Sequence, residues 1–144
     1  MFITFEGGEG SGKSTQIRLT TAYLQKNGHN VLVTREPGGT PIGNQIRGVL
    51  LENMENTEMN ARTELLLFCA SRAQLVAEVI VPHLKSGGIV LCDRYTDSTY
   101  AYQGYGHGLN LEALRNVIDF ATGSLRPDLT LYLDITPEAG LRRR

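Results

Sequence analysis

The eight residues Gly7-Gly8-Glu9-Gly10-Ser11-Gly12-Lys13-Ser14 constrain the fold more than any other part of the chain. They satisfy GxxxxGK[ST] and stand between an apolar run at 2–5 and a helical stretch at 13–26. The motif needs that context, because a strand must deliver the loop and a helix must receive it. Glycines let the main chain curl until successive N–H groups point inward, and the helix N-terminus adds about half a positive charge. Residues Gly7, Gly8, Glu9, Gly10, Ser11, Gly12, Lys13, Ser14 and Thr15 are therefore expected to cradle the phosphates of ATP. Lys13 would reach the β- and γ-phosphates, and the Ser14 hydroxyl would bind Mg²⁺.

The rest of the chain alternates short apolar strands with helical stretches, the pattern of a parallel α/β sheet. Strands are expected at 2–5, 31–34, 89–92 and 129–135. Helices are expected at 13–26, closed by Asn27-Gly28, from Thr40-Pro41 onward, at 63–85 with a bend or restart at Pro82, and at 111–122. On the Thr40-Pro41 helix, Ile42, Ile46, Val49 and Leu50 should form the buried face. The stretch 100–109 is aromatic and broken by glycine, hence a ligand loop or a broken helix. Thr136-Pro137 opens a last helix, and a chain stopping one turn later reads as a fragment. The expected fold is α/β, a P-loop three-layer α/β/α domain over 1–144 with a mostly or wholly parallel sheet, its last edge strand missing.

Composition excludes several classes. With 14 Lys+Arg against 15 Asp+Glu the net charge is −1, which offers no basic field for nucleic acid. Cys69 and Cys92 sit in apolar runs without CxxC spacing, so they read as reduced core residues. No apolar stretch approaches the roughly 18 residues a membrane span needs, and residues 1–5 lack a signal peptide's basic flank. A cytoplasmic protein with no membrane partner is expected.

Other segments add charge beside the loop. Asp93 follows the apolar run 89–92 and would hold the magnesium shell, directly or through water. Arg35 and Arg94 each lie just past a strand, at the rim where α/β sheets bind ligands. Phe68 and Arg72 are four apart on one helix and share a face. That pair fits either stacking and edge-reading of a base, or a core phenylalanine beside an exposed arginine.

FEGGEGSGKSTQ, TREPGGT, LLLFCASR, DRYTDSTYAYQG and RPDLTLYLD occur in this order, with spacings similar to the bacterial thymidylate kinases. The resemblance covers essentially the whole chain. It implies transfer of the γ-phosphoryl of ATP to dTMP, giving dTDP and ADP for dTTP synthesis. It also implies that Arg35 and Arg94 clamp the dTMP phosphate, Phe68 stacks on thymine, Arg72 bonds its O4 edge and Gln103 serves its N3 edge. Tyr102 would crowd the sugar C2′, Ser98 and Thr99 would lie near the base, and Glu9 would face the 3′-hydroxyl. Lys13, Arg35, Arg94, Asp93 and Glu9 make up the implied catalytic set. The resemblance further implies a homodimer packed through helices, and a cis bond at Glu36-Pro37. One departure matters. Some members carry an arginine where this chain has Gly10, so the chain looks like the subtype whose lid supplies the catalytic arginine. Arg142, Arg143 and Arg144 read either as the leading edge of that lid or as an ordinary basic helix end.

The implied acceptor is a phosphate oxygen, largely ionised at neutral pH with a second pKa near 6, so no general base is required. His29, His83 and His107 read as surface or loop residues. A chain ending at Arg144 would bind nucleotide and turn over poorly, since an arginine at the transition state is worth about 10³–10⁵ in rate. Three rival readings are a deoxynucleoside kinase, which would need Glu9 or Glu36 as base, a GTP-hydrolysing switch, for which the NKxD segment is absent, and a non-catalytic nucleotide-binding module.

Overall fold

The computed structural model describes residues 1–51 and 59–143. The chain divides into two compact units, the first comprising Met1–Arg35, His83–Tyr95 and Pro127–Arg144, the second Glu36–Pro82 and Thr96–Arg126.

The first unit is built on a four-stranded, wholly parallel sheet in the order β2-β3-β1-β4. Its strands are β1 (Phe2–Glu6), β2 (Val31–Arg35), β3 (Ile89–Asp93) and β4 (Leu129–Tyr132). Every residue of β1 is buried, as a central strand of near-continuous apolar character requires. Helix α1 (Lys13–Lys26) crosses over from β1, and Ile17 on it joins Ile3, Phe5 and Leu91 in the core. Each such side chain, fully buried, stabilises the fold by about 1.5–3 kcal/mol. The ring of Phe2 meets that of Tyr95 edge-on, centroids 5.0 Å apart. The strand expected at 129–135 ends at Tyr132. One further ladder bond, from Leu133 N–H to the Glu6 carbonyl, follows at 2.8 Å, and the chain then turns into α7 (Pro137–Arg142), capped by Thr136.

The second unit is helical. It holds α2 (Pro41–Leu51), α3 (Ala61–Leu75), a π-helical turn at Val76–Ile80, α5 (Thr96–Thr99), a second π-helical segment at Tyr100–Gly106, and α6 (Leu111–Thr122). A short α4 (Val81–Lys85) follows in the chain, its last three residues belonging to the first unit. Leu65, Cys69, Leu114 and Ile118 form the core, where α3 packs on α6. Thr40 caps α2, its hydroxyl accepting from Gly43 N–H at 2.9 Å. The expected apolar face of α2 is not the buried one. Ile42 and Val49 are exposed, and the buried residue is Gly43, whose missing side chain leaves room for the hydroxyls of Thr40 and Ser71. Close approach, not apolar bulk, seats this helix.

The long helix starts at Ala61 on an Asn60 cap, two residues before the expected Thr63. Its irregularity is the π turn just before Pro82. In α geometry the proline ring would strike the carbonyl four residues back, and a widened turn avoids that clash. By length and composition, the run 61–85 is long enough and apolar enough to cross a membrane. The expectation that no apolar stretch approaches that length is corrected by this run, which reaches it even though Glu64, Arg72 and Glu78 lie within it. Its buried side chains, Leu65, Cys69, Leu75, Val76 and Ile80 among them, also mark it as a core helix. The stretch 100–109 is helical, not a loop, up to Gly106.

Candidate functional site

In the first unit the loop 7–12 joins β1 to α1, with Gly12 at φ 96 as the last residue before the helix. Strand register brings Phe5 of β1 and Arg35 of β2 level with Asp93 of β3. Arg35, Asp93 and Arg94 therefore stand at the carboxyl rim of the same three strands that carry the loop. Arg35 is exposed, and Asp93 and Arg94 are half-buried. Glu9, Ser14 and Thr15 are exposed, while Ser11 and Lys13 are buried.

Lys13 folds back on the loop, its Nζ donating to the carbonyls of Gly7 and Gly8, each at 2.9 Å. Burial pushes its pKa down from the ordinary lysine value and the Arg94 charge adds to this, while Asp93, Glu6 and Glu9 pull it back up. The ammonium is thus a partly desolvated cation held at the loop mouth. Burial without a partner marks two further atoms. Ser11 Oγ and Asp93 Oδ1 are both buried with no hydrogen-bond partner among the described residues. Such atoms cost free energy unless something binds them.

The chemistry of these donors suits Mg²⁺. No group of three or more His, Cys, Asp or Glu able to hold a metal exists among the described residues. Magnesium seldom asks for one, being bound through one or two carboxylates plus substrate phosphates and water. Asp93 Oδ1 and the Ser14 hydroxyl are of the kind it takes.

Glu6 was not singled out from sequence. It is a buried carboxylate at the end of β1, and its Oε1 accepts from Tyr95 N–H at 2.7 Å. Arg94, one residue earlier, adopts φ 70, a left-handed conformation costly for a residue with a side chain. The Arg94 N–H donates to the Phe5 carbonyl at 3.0 Å, so both ends of the strained residue are tied to β1. A signal was available: an acid closing a fully buried strand has to find a donor.

The second unit holds the other expected residues. Arg72 is only 1% exposed, which removes the reading of an exposed arginine beside a core ring; Phe68 is the half-buried member. Arg72 Nε donates to both oxygens of Glu36 at 3.0 and 2.8 Å, and Nη2 donates to Glu36 Oε2 at 2.5 Å and to Thr99 Oγ1 at 2.9 Å. Thr99 is buried and orients the guanidinium, while Ser98 beside it is half-buried. Glu36 precedes Pro37 through a cis bond, as expected, and Gly38 N–H donates to Ser71 Oγ at 3.0 Å.

Gln103 is buried and gives its amide to Glu64 Oε1 at 2.8 Å, which makes its carbonyl the acceptor end. His107 reaches the same Glu64 at 2.9 Å. Tyr102, its neighbour on the π segment, is 50% exposed. From sequence Glu36 stands only as a rival catalytic base and Glu64 has no role, because nothing local says that the one fixes Arg72 and the other Gln103. Arg142 and Arg143 are exposed at the end of α7, and Arg144 lies outside the described residues.

Known proteins resemble this chain over nearly its whole length. The family model described as thymidylate kinase matches residues 5–144. All 144 residues align at 60% identity with the thymidylate kinase of Herpetosiphon aurantiacus, covering 61% of it, and at 60% with that of Roseiflexus castenholzii, covering 62%. The chain thus spans about three fifths of the length of these relatives. The crystal structure of thymidylate kinase from Ehrlichia chaffeensis superposes with a TM-score of 0.85 at 39% identity, covering 99% of this chain and 75% of that one. With the phosphate loop, the arginines at the strand ends and these matches in agreement, the chain belongs to the thymidylate kinase family.

Proposed function

We propose that this chain binds ATP and dTMP and forms the core of an enzyme that moves the γ-phosphoryl of ATP onto dTMP. The observation that carries the reading is the pairing of a phosphate loop with two further guanidinium groups, Arg35 and Arg94, at the ends of adjacent strands. One loop and one lysine suffice for a nucleoside triphosphate; two arginines beside them suit a second anion.

An oxygen of the dTMP phosphate attacks the γ-phosphorus, the bond to the β–γ bridging oxygen breaks, and ADP departs. That nucleophile is already ionised, so the chain need not remove a proton. The difficulty is bringing two anions together, and Lys13, Arg35, Arg94 and the loop N–H groups meet it by neutralising and aligning them. Ser14 and Asp93 would hold Mg²⁺, which when bound supplies charge neutralisation on the phosphate oxygens. Glu9 faces the sugar 3′-hydroxyl, Phe68 stacks on thymine, and Arg72 reads the O4 edge from the orientation that Glu36 and Thr99 give it. Gln103 offers its carbonyl to the N3–H, a polarity supported by its amide bond to Glu64. Tyr102 disfavours a 2′-hydroxyl, and Ser98 lies near the base.

Homodimer formation through the helix 61–85 is part of the same reading. Leu66, Ala70, Ala73 and Ala77 recur at helical spacing, and Leu66 is exposed, an apolar stripe that a second copy would cover.

The test is a substrate competition in the protein extended to the length of its relatives. Phosphorylation of dTMP without phosphorylation of thymidine is expected; turnover of thymidine would move the assignment to a hydroxyl-accepting kinase. Loss of the thymine methyl should cost only about 1–3 kcal/mol, leaving dUMP a poor but real substrate. Cytosine reverses the donor–acceptor pattern read by Arg72 and Gln103, so dCMP should rank well below dUMP.

A further inference from the structure

The phosphate loop is held by more than the strand before it and the helix after it. Gly7 lies against the main chain of Leu133, where an added Cβ would come within 2.7 Å of the Leu133 carbonyl oxygen. Gly10, at φ 69, lies against Gly140 of α7, where a Cβ would sit 3.1 Å from the Gly140 Cα and closer still to its carbonyl oxygen. The contact is reciprocal. Gly140 is buried, and a Cβ on it would run into the carbonyl oxygen of Glu9, with Ile135 Cδ1 at 3.3 Å on the other side. The segment 133–140 thus wraps the loop backbone to backbone, all within the first unit.

Local chemistry pins Gly140 at that point. Thr136 caps α7 by accepting from Ala139 N–H at 3.3 Å, Pro137 starts the helix, and Gly140 N–H donates to the Thr136 carbonyl at 3.0 Å. The atom that Gly140 meets is a peptide oxygen, not the end of a flexible side chain. Relief of any clash must therefore move either α7 or the peptide between Glu9 and Gly10. That peptide is planar, so displacing the Glu9 carbonyl also turns the Gly10 N–H. The Gly10 N–H is one of the donors a bound phosphate would use.

We infer that Gly140 is a positioning residue for nucleotide binding: α7 buttresses the phosphate loop and fixes the aim of the Gly10 N–H before ATP arrives. The inference rests on the proposed ATP site. It assigns to α7 a share in ATP affinity that the loop motif does not reveal. It also means that position 10 takes no side chain while Gly140 stays in place.

The test substitutes Gly140→Ala and measures three quantities in the whole chain: ATP affinity and dTMP affinity by calorimetry, and thermal unfolding without ligand. Misaiming one hydrogen bond to a charged phosphate should weaken ATP by about tenfold, with dTMP affinity unchanged. A lower melting temperature with unchanged ATP affinity would overturn the inference, because a merely structural glycine predicts that. Thr136→Ala covers the case in which G140A fails to fold, since it loosens α7 without adding bulk; it should weaken ATP by a smaller factor, and no effect would count against the inference. A parent chain that binds no ATP would overturn the ATP reading itself. Normal parent binding with an indifferent G140A would overturn only the role of Gly140.

Discussion

Arg72 is buried as a cation, and Glu36 is the reason it can be. Two desolvated charges in good geometry roughly offset their own desolvation, whereas one left alone does not. Glu36→Ala should therefore destabilise the fold by about 3–5 kcal/mol, read as a fall in the urea midpoint. Glu36→Gln keeps acceptors for the guanidinium and should cost less. Cys69, on the same helix, is held above its ordinary pKa by burial; Arg72 partly opposes this and Glu36 adds to it, so the thiol stays protonated. Lys13 supplies a pH prediction. Burial first, and Arg94 second, lower its pKa below 10.5, so the folded chain releases this proton at lower pH than the unfolded chain. Stability from this group then rises with pH between the folded and unfolded values, and is constant below the folded one. ATP binding needs the charged form, so affinity should fall as pH climbs towards the ordinary lysine value. In Lys13→Arg the pH profile should stay flatter, because a guanidinium does not titrate there. Calorimetry across alkaline pH compares the two.

At the scale of elements, helix ends are set by side chains that can be removed singly. Asn110 accepts from Ala113 N–H at 2.9 Å at the exposed start of α6. Asn110→Ala should cost about 1 kcal/mol in urea unfolding, without changing nucleotide affinity. Most elements were legible from periodicity and punctuation: α1 with its Asn27-Gly28 end, α6, and the buried strand β3 stand where the pattern put them. Two features were not. Helix α2 buries Gly43 in place of Ile42 and Val49, because what it packs on is decided by α3. The segment 100–106 reads as broken from its glycines, yet it is a widened helix that turns Gln103 in and Tyr102 out. A π register depends on neighbours across the helix, and local propensity does not encode it.

For the molecule as a whole, the proposed homodimer is the property most open to test. Leu66 is 57% exposed on this apolar stripe. Leu66→Glu should convert a dimer to a monomer in sedimentation at micromolar concentration while leaving the circular dichroism unchanged; a dimer that persists would move the interface elsewhere.

The phosphate loop, the alternation of strands and helices, and the strand-end arginines Arg35 and Arg94 were determined by the sequence alone, because each depends on residues close together in the chain. A loop needs its glycines in order, and a strand needs a run of apolar residues. Only the tertiary structure decided that Glu36 holds Arg72, that Glu64 orients Gln103, that Glu6 ties down the strained Arg94, and that Gly140 rests on Gly10. Each of these pairs is brought together by packing across long separations in sequence. Burial then makes the contact matter, since desolvated charge and touching backbone leave no room for an alternative partner.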